Sequence, residues 1–170
     1  MNDLEKNLFM EYIEGKMWFI SPEKDFTIES ILKTVKGLKL AYGIKYFCVD
    51  AWNRLEHKYQ STDSVKYINE SLVKIDNFCK DNMLHCFLVA HPARPEADRK
   101  TGALPIPTMY SVSGGAQFNN IIANGISVYR DFGEFNPTLK RYDNQITKVF
   151  VQKVRMQPYW GHQGYCRFKY

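Results

Sequence analysis

The sequence predicts an α/β fold, with a mainly parallel central sheet, helices as crossovers and an antiparallel hairpin near the C-terminal end. Three observations carry this. Two short apolar runs, Lys45 to Asp50 and Cys86 to Ala90, are rich in β-branched and aromatic residues, and they lead to Asp50 and His91. Runs of this kind suit strands of a buried parallel sheet. Between them lies a stretch whose apolar residues recur every three and four positions, as a crossover helix requires. Finally, Val149 to Val154 and Tyr165 to Tyr170 alternate on either side of QPYWGHQG, the pattern of an antiparallel pair across a turn.

In chain order, Leu4, Leu8, Phe9 and Ile13 fall on one side of a short amphipathic helix over 3–14, with Gly15 as its stop. Met17 to Ile20 reads as a small apolar strand. Asp25 or Thr27 caps a helix whose core stripe is Ile28, Ile31, Leu32, Val35 and Leu38, and Gly43 ends it. After the strand to Asp50, Asp63 is the N-cap of the next helix. That helix turns Val65, Ile68, Leu72, Ile75 and Cys79 inward and Lys66, Glu70 and Lys74 outward. Right-handed crossovers then bring Asp50 and His91 to the same edge of the sheet, where open α/β sheets bind ligands. Pro92 to Thr108 carries four prolines with Arg94, Arg99 and Lys100 and has no periodicity. It reads as a long loop, and loops of that length in a compact domain are functional or mobile. Ser113 to Phe118 turns into a short helix, and Ile126 to Tyr129 is a strand ending at Arg130.

A length of 170 residues, 45% of them hydrophobic, gives one sizeable core, and residues 1–170 read as a single domain. The net charge of +5 and pI near 8.9 permit an acidic partner such as nucleic acid without requiring one. Cys48, Cys79, Cys86 and Cys166 show no CxxC or His-paired spacing, and Cys48 and Cys86 lie inside apolar runs. They are expected to be reduced core residues rather than disulfides or metal ligands, which points to a cytoplasmic protein. The acidic N-terminal stretch has no long apolar run, so neither a signal peptide nor a membrane span is expected.

As residues alone, the candidate site groups have two readings each. Asp50 suits a crevice acid or the start of a surface loop, and His91 a ligand-facing group or a satisfied strand-end histidine. Lys153 and Arg155 are two same-face cations on a strand, Arg130 with Phe168 or Tyr170 a set of sheet-edge groups, and Arg94, Arg99 and Lys100 cations of a solvated loop.

Several of these pieces occur together in one known family. The strand to Asp50, VAHP at Val89 to Pro92, PTMYSVSGGAQFNN followed by ISVYRD, and KVR before a glycine turn resemble, in order and spacing, the C-terminal RecA-like motor domain of ring-shaped replicative helicases. This is the DnaB, Twinkle and phage primase-helicase group, and the likeness runs from about Met17 to Tyr170. It implies a RecA-like three-layer fold, Mg²⁺ and ATP as ligands of the complete site, and a bacterial or phage-infected cell as the setting. Asp50 matches the Walker B acid, which orients water on Mg²⁺ beside the phosphates. His91 matches the polar sensor of the γ-phosphate. Lys153 and Arg155 match the KxR with which one subunit reaches its neighbour's nucleotide. Arg130 with Phe168 or Tyr170 matches the pair that stacks on the base. Arg94, Arg99 and Lys100, with Ser113, Gly114 and Gly115, fall where the family binds single-stranded DNA, small residues letting amides approach phosphates. Two positions depart from the pattern: Ser111 stands where an acid is usual, and Ala123 where another is common.

The larger departure is that GxxxxGK[ST] occurs nowhere, and Gly114 and Gly115 are not followed by Lys and Ser or Thr. The chain by itself is therefore expected to bind ATP weakly or not at all. The resemblance places the absent P-loop strand between the Cys86–Ala90 and Ile126–Tyr129 strands, and the family's usual catalytic glutamate is absent with it. An open gap there would leave two rows of backbone donors and acceptors unmatched. The flanking strands are thus expected to close directly on each other, or else to accept a strand from another chain. Two functions follow. One is the distal part of an ATP-dependent DNA helicase motor, inactive alone and completed by a P-loop-bearing helicase half or by ring subunits. The other is a non-catalytic module that binds single-stranded DNA or regulates a helicase ring. A degenerate remnant without activity is the plainest alternative to both.

Overall fold

The computed structural model describes residues 2–21, 24–57, 63–93, 96–97, 104–130, 134–137, 141–143, 146–156, 159 and 161–169, with 134–136 and 141–143 described by their backbone alone. The helices are α1 (Asp3–Ile13), α2 (Ile28–Tyr42), α3 (Ser64–Asp81) and α4 (Gly115–Ile121). The strands are β1 (Tyr46–Asp50), β2 (His85–Val89), β3 (Asn124–Tyr129), β4 (Glu134–Asn136), β5 (Arg141–Asp143), β6 (Ile146–Val154) and β7 (Gly164–Lys169). Short 3-10 turns sit at Trp52–Arg54 and Met109–Ser111.

Of the two caps offered for α2, Thr27 is used: its hydroxyl accepts from the Ser30 amide at 3.4 Å. Gly43 ends the helix in the left-handed conformation, φ +67, which costs a glycine nothing. The inward stripe of α2 (Ile28, Leu32, Val35) meets that of α3 (Ile68, Leu72, Ile75) over Phe47 and Val49 of β1, and Leu84, Trp52 and Phe118 complete the same cluster. The stripe of α3 departs from expectation at its start, where Val65 is exposed and Ser71 is buried instead.

β1 and β2 are parallel, from Tyr46 opposite His85 to Asp50 opposite Val89. Phe47 and Val49 are buried, whereas Tyr46, Cys48 and Asp50 on β1 and His85, Phe87 and Val89 on β2 are exposed. The strands are therefore covered on one face rather than two, because α2 and α3 both pack on the Phe47–Val49 side. Cys48 lies on the open face and so outside the core where it was expected, while Cys86 is partly buried. α1 forms with an Asn2–Glu5 capping box, but only Ile13 of its stripe is buried, and Leu4 and Leu8 are exposed. Met17 to Ile20 is extended but pairs with no described strand, so it is not the predicted strand. Trp18 instead stacks on Tyr42 with ring centroids 4.8 Å apart.

The C-terminal part is an antiparallel sheet in the order β3–β6–β7. It contains the expected hairpin of β6 and β7, and the short β4–β5 hairpin was not anticipated. The expected direct closure of β2 on β3 does not occur: among the described strands β2 pairs only with β1, and β3 only with β6. The physical reason lies in the connection between them, which crosses one face of β3 instead of drawing the strands together. Tyr129 donates from its hydroxyl to the Leu104 carbonyl at 3.0 Å. Gln152 of β6 donates to the Pro107 carbonyl at 2.6 Å and to the Ser127 hydroxyl at 2.8 Å, and accepts from the Met109 amide at 3.0 Å. Pro105 and Pro107 have no amide hydrogen to offer a ladder, so side chains hold this segment where backbone pairing cannot.

Candidate functional site

β1 stops at Asp50 and β2 at Val89 directly opposite, so the residues that follow each strand open on one end of the parallel pair. A cavity of about 550 Å³ lies there, lined by Phe26, Asp50, Ala51, Arg54 and His91. The structure thus brings Asp50 and His91 into one cavity. Phe26 reaches it from the segment before α2, where its carbonyl accepts from the Glu56 amide at 3.0 Å. The Asp50–Ala51 peptide bond is cis. Behind Asp50, the Trp52–Arg54 turn is closed by the Arg54 amide on the Ala51 carbonyl at 2.9 Å and the Leu55 amide on the Trp52 carbonyl at 3.1 Å. Trp52 anchors it in the core.

Sequence reasoning missed two residues of this turn. Asn53 accepts from the His91 amide at 2.7 Å and donates to the His91 carbonyl at 3.4 Å. Arg54 places a cation in the cavity with Asp50, and no ion pair joins them among the described residues. The available signal was WNR itself, three residues directly behind a strand-end acid in which the aromatic anchors and the two polar groups stay at the surface. No described group of three or more His, Cys, Asp and Glu side chains could cage a metal. A single exposed carboxylate fits a hydrated Mg²⁺ shared with phosphate oxygens, which is how Mg²⁺ is commonly held.

Lys153 and Arg155 are occupied by α4. Lys153 donates to the Asn119 carbonyl, and the Arg155 guanidinium donates to the Ile121 carbonyl and, at 3.3 Å, to that of Asn120. Cations on the last carbonyls of a helix satisfy acceptors that have no intrahelical partner and complement the helix dipole. Burial, and then the neighbouring Arg155, hold the Lys153 ammonium below the usual lysine range. At the other end of α4, Ser113 is exposed and Gly114 is left-handed, φ +76. Gly115 is buried so tightly that a Cβ would sit 2.5 Å from the Tyr110 Cα, a packing demand for glycine separate from any ligand. In the middle of α4, Phe118 meets Trp52 edge to face at 5.7 Å, which joins the helix to the Asp50 turn.

Arg130 follows the last residue of β3, Tyr129, which lies opposite Lys148; Phe168 on β7 lies opposite Thr147. Both therefore stand at the same end of the antiparallel sheet, on either side of β6, and both are exposed. Tyr170, Arg94, Arg99 and Lys100 lie outside the described residues. No helix among the described residues is long and apolar enough to cross a membrane.

No family model matches the chain. In sequence it is similar to the Twinkle homolog protein, chloroplastic/mitochondrial, of Arabidopsis thaliana, with 32% identity over 151 residues that make up 84% of this chain and 20% of that protein. In structure it is similar to the solved ATPase domain of a DnaB-like helicase, with a TM-score of 0.64 at 13% identity over 85% of this chain and 48% of that one. The chain thus spans a fifth of the length of the one and about half of the other.

Proposed function

The chain is a RecA-like helicase motor segment, and from that premise we propose that it is the distal part of an ATP-dependent DNA helicase motor, completed by a P-loop-bearing partner. The observation that carries this reading is the cavity at the ends of β1 and β2 that holds Asp50 and His91 together. Bound Mg²⁺ supplies charge neutralisation at the phosphates. In this reading Asp50 orients metal-bound water, and His91 responds to the terminal phosphate from the next strand. Lys153 and Arg155 leave the α4 carbonyls and add positive charge in a neighbouring subunit's site. Arg130 with Phe168 and Tyr170 stacks on the base, and Ser113, Gly114 and Gly115 with Arg94, Arg99 and Lys100 hold single-stranded DNA. The edges of β2 and β3 that no described strand covers are where a partner's strand would add.

Mixed with a P-loop-bearing RecA-like helicase segment, the chain is expected to give DNA-stimulated ATP hydrolysis that Asp50→Asn and Arg155→Ala each remove. Turnover unaffected by both changes refutes the reading. The engagement of Lys153 and Arg155 with α4 favours a second reading, a non-catalytic module that binds single-stranded DNA or regulates a helicase ring. Salt-dependent oligonucleotide binding without stimulated hydrolysis supports it, and no binding at low salt removes its DNA-binding form.

A further inference from the structure

We propose that Asn53 is a positioning residue: its side-chain amide fixes the main chain of His91, and with it the place of the imidazole relative to the Asp50 carboxylate. This rests on reading Asp50 and His91 as parts of one phosphate-handling site. The β1–β2 ladder ends at Asp50 and Val89, so His91, two residues further on, needs other partners for its backbone groups. Among the described residues no backbone group bonds to either of them. Asn53 serves both, accepting from the amide at 2.7 Å and donating to the carbonyl at 3.4 Å across 38 residues of chain. A carboxamide is suited to this because it carries a donor and an acceptor on one planar group, as a peptide does. In effect it extends the parallel pairing beyond the strands with a side chain.

Asn53 is itself held from behind. Its turn is closed by two backbone hydrogen bonds and pinned by Trp52 in the core, so the clamp is referred to the same rigid body that carries Asp50. Asn53 does not line the cavity, whereas Asp50, Ala51, Arg54 and His91 do. It therefore acts on a ligand through His91 and not by contact. Because Asn53 is exposed, losing its amide loosens the segment after β2 without opening the core.

The test uses the intact chain, with Mg²⁺ and inorganic triphosphate at millimolar concentration as probe, and follows the His91 amide and imidazole by NMR. In the wild type the imidazole signals shift on titration, and Asp50→Asn removes the shift. Asn53→Ala is expected to speed exchange of the His91 amide by about two- to tenfold, the worth of one hydrogen bond, and to shrink the imidazole shift. The unfolding midpoint and the exchange of the Val49 amide stay at wild-type values. Asn53→Asp, which keeps the acceptor, restores slow exchange. If Asn53→Ala leaves both His91 readouts unchanged while Asp50→Asn still removes the shift, the positioning role is wrong and the site reading stands. If His91 does not respond in the wild type, or responds equally in Asp50→Asn, the site reading fails and this inference fails with it.

Discussion

Phe118→Ala removes the side chain by which α4 reaches the Asp50 turn. Phe118 is 4% exposed, as is Trp52, and their rings meet at 5.7 Å and 87°. Truncating a buried phenylalanine to alanine costs about 3–5 kcal/mol, and the edge-to-face contact accounts for about 0.5–1.5 kcal/mol of that. For a chain of this length the change lowers the unfolding midpoint by roughly 6–20 °C. Phe118→Leu retains most of the apolar volume and should cost about 1–2 kcal/mol, so the two variants separate volume from ring geometry. Urea and thermal unfolding followed by far-UV circular dichroism give both numbers. A cycle of Phe118→Leu, Trp52→Leu and the double variant then isolates the pair, with a coupling of about 0.5–1.5 kcal/mol expected. A Phe118→Ala cost below about 1 kcal/mol, or additivity in the cycle, would show that α4 is not anchored through this contact.

Glycine changes should split by position. A Cβ on Gly37, inside α2, meets nothing within 4 Å, so Gly37→Ala is expected to raise stability by about 0.5–1 kcal/mol, whereas Gly115→Ala, driven against the Tyr110 backbone, should prevent stable folding; equal melting temperatures for the two variants would contradict this. Burial first, and then Cys79 and Cys48, push the Cys86 thiol up to about 12 from an ordinary 9.0. Between those values the native state keeps a proton that the unfolded chain has lost, so stability falls as pH rises through this window, by about 1.4 kcal/mol per unit at steepest. Urea midpoints measured from about pH 8 to about pH 11 should fall less steeply in Cys86→Ala than in the wild type, and identical slopes would refute the assignment.

The parts legible in the sequence are those encoded by local spacing. The stripes of α2 and α3, the Thr27 and Gly43 boundaries and the strand to Asp50 depend on nearby residues, and parallel topology then carries Asp50 and His91 to one end. Pairing partners are not encoded locally. Nothing in Asn124–Tyr129 says that it will lie antiparallel to β6 rather than beside β2, because the short run suits either neighbour. The Asn53–His91 clamp and the Gln152 latch on Pro107 and Met109 join residues 38 or more positions apart through amide side chains, which leave no periodic trace. The exposure of Cys48 was hidden for another reason: a β-branched and aromatic run reads the same whether its strand is covered on one face or on two.

Helix α4 has the proportions of a short connecting rod. Seven residues span about 10 Å, and along that length the rod has three attachments: the Ser113–Gly115 bend at its head, the Phe118 ring seated on Trp52 at its midpoint, and the carbonyls grasped by Lys153 and Arg155 at its foot. A two-turn helix does not bend appreciably under such loads. Sliding it along its axis moves all three joints by the same distance, and tilting it about Phe118 swings head and foot in opposite senses. The exposed bend, the turn behind Asp50 and the two basic side chains therefore share one mechanical degree of freedom, although 42 positions separate Ser113 from Arg155 in the chain.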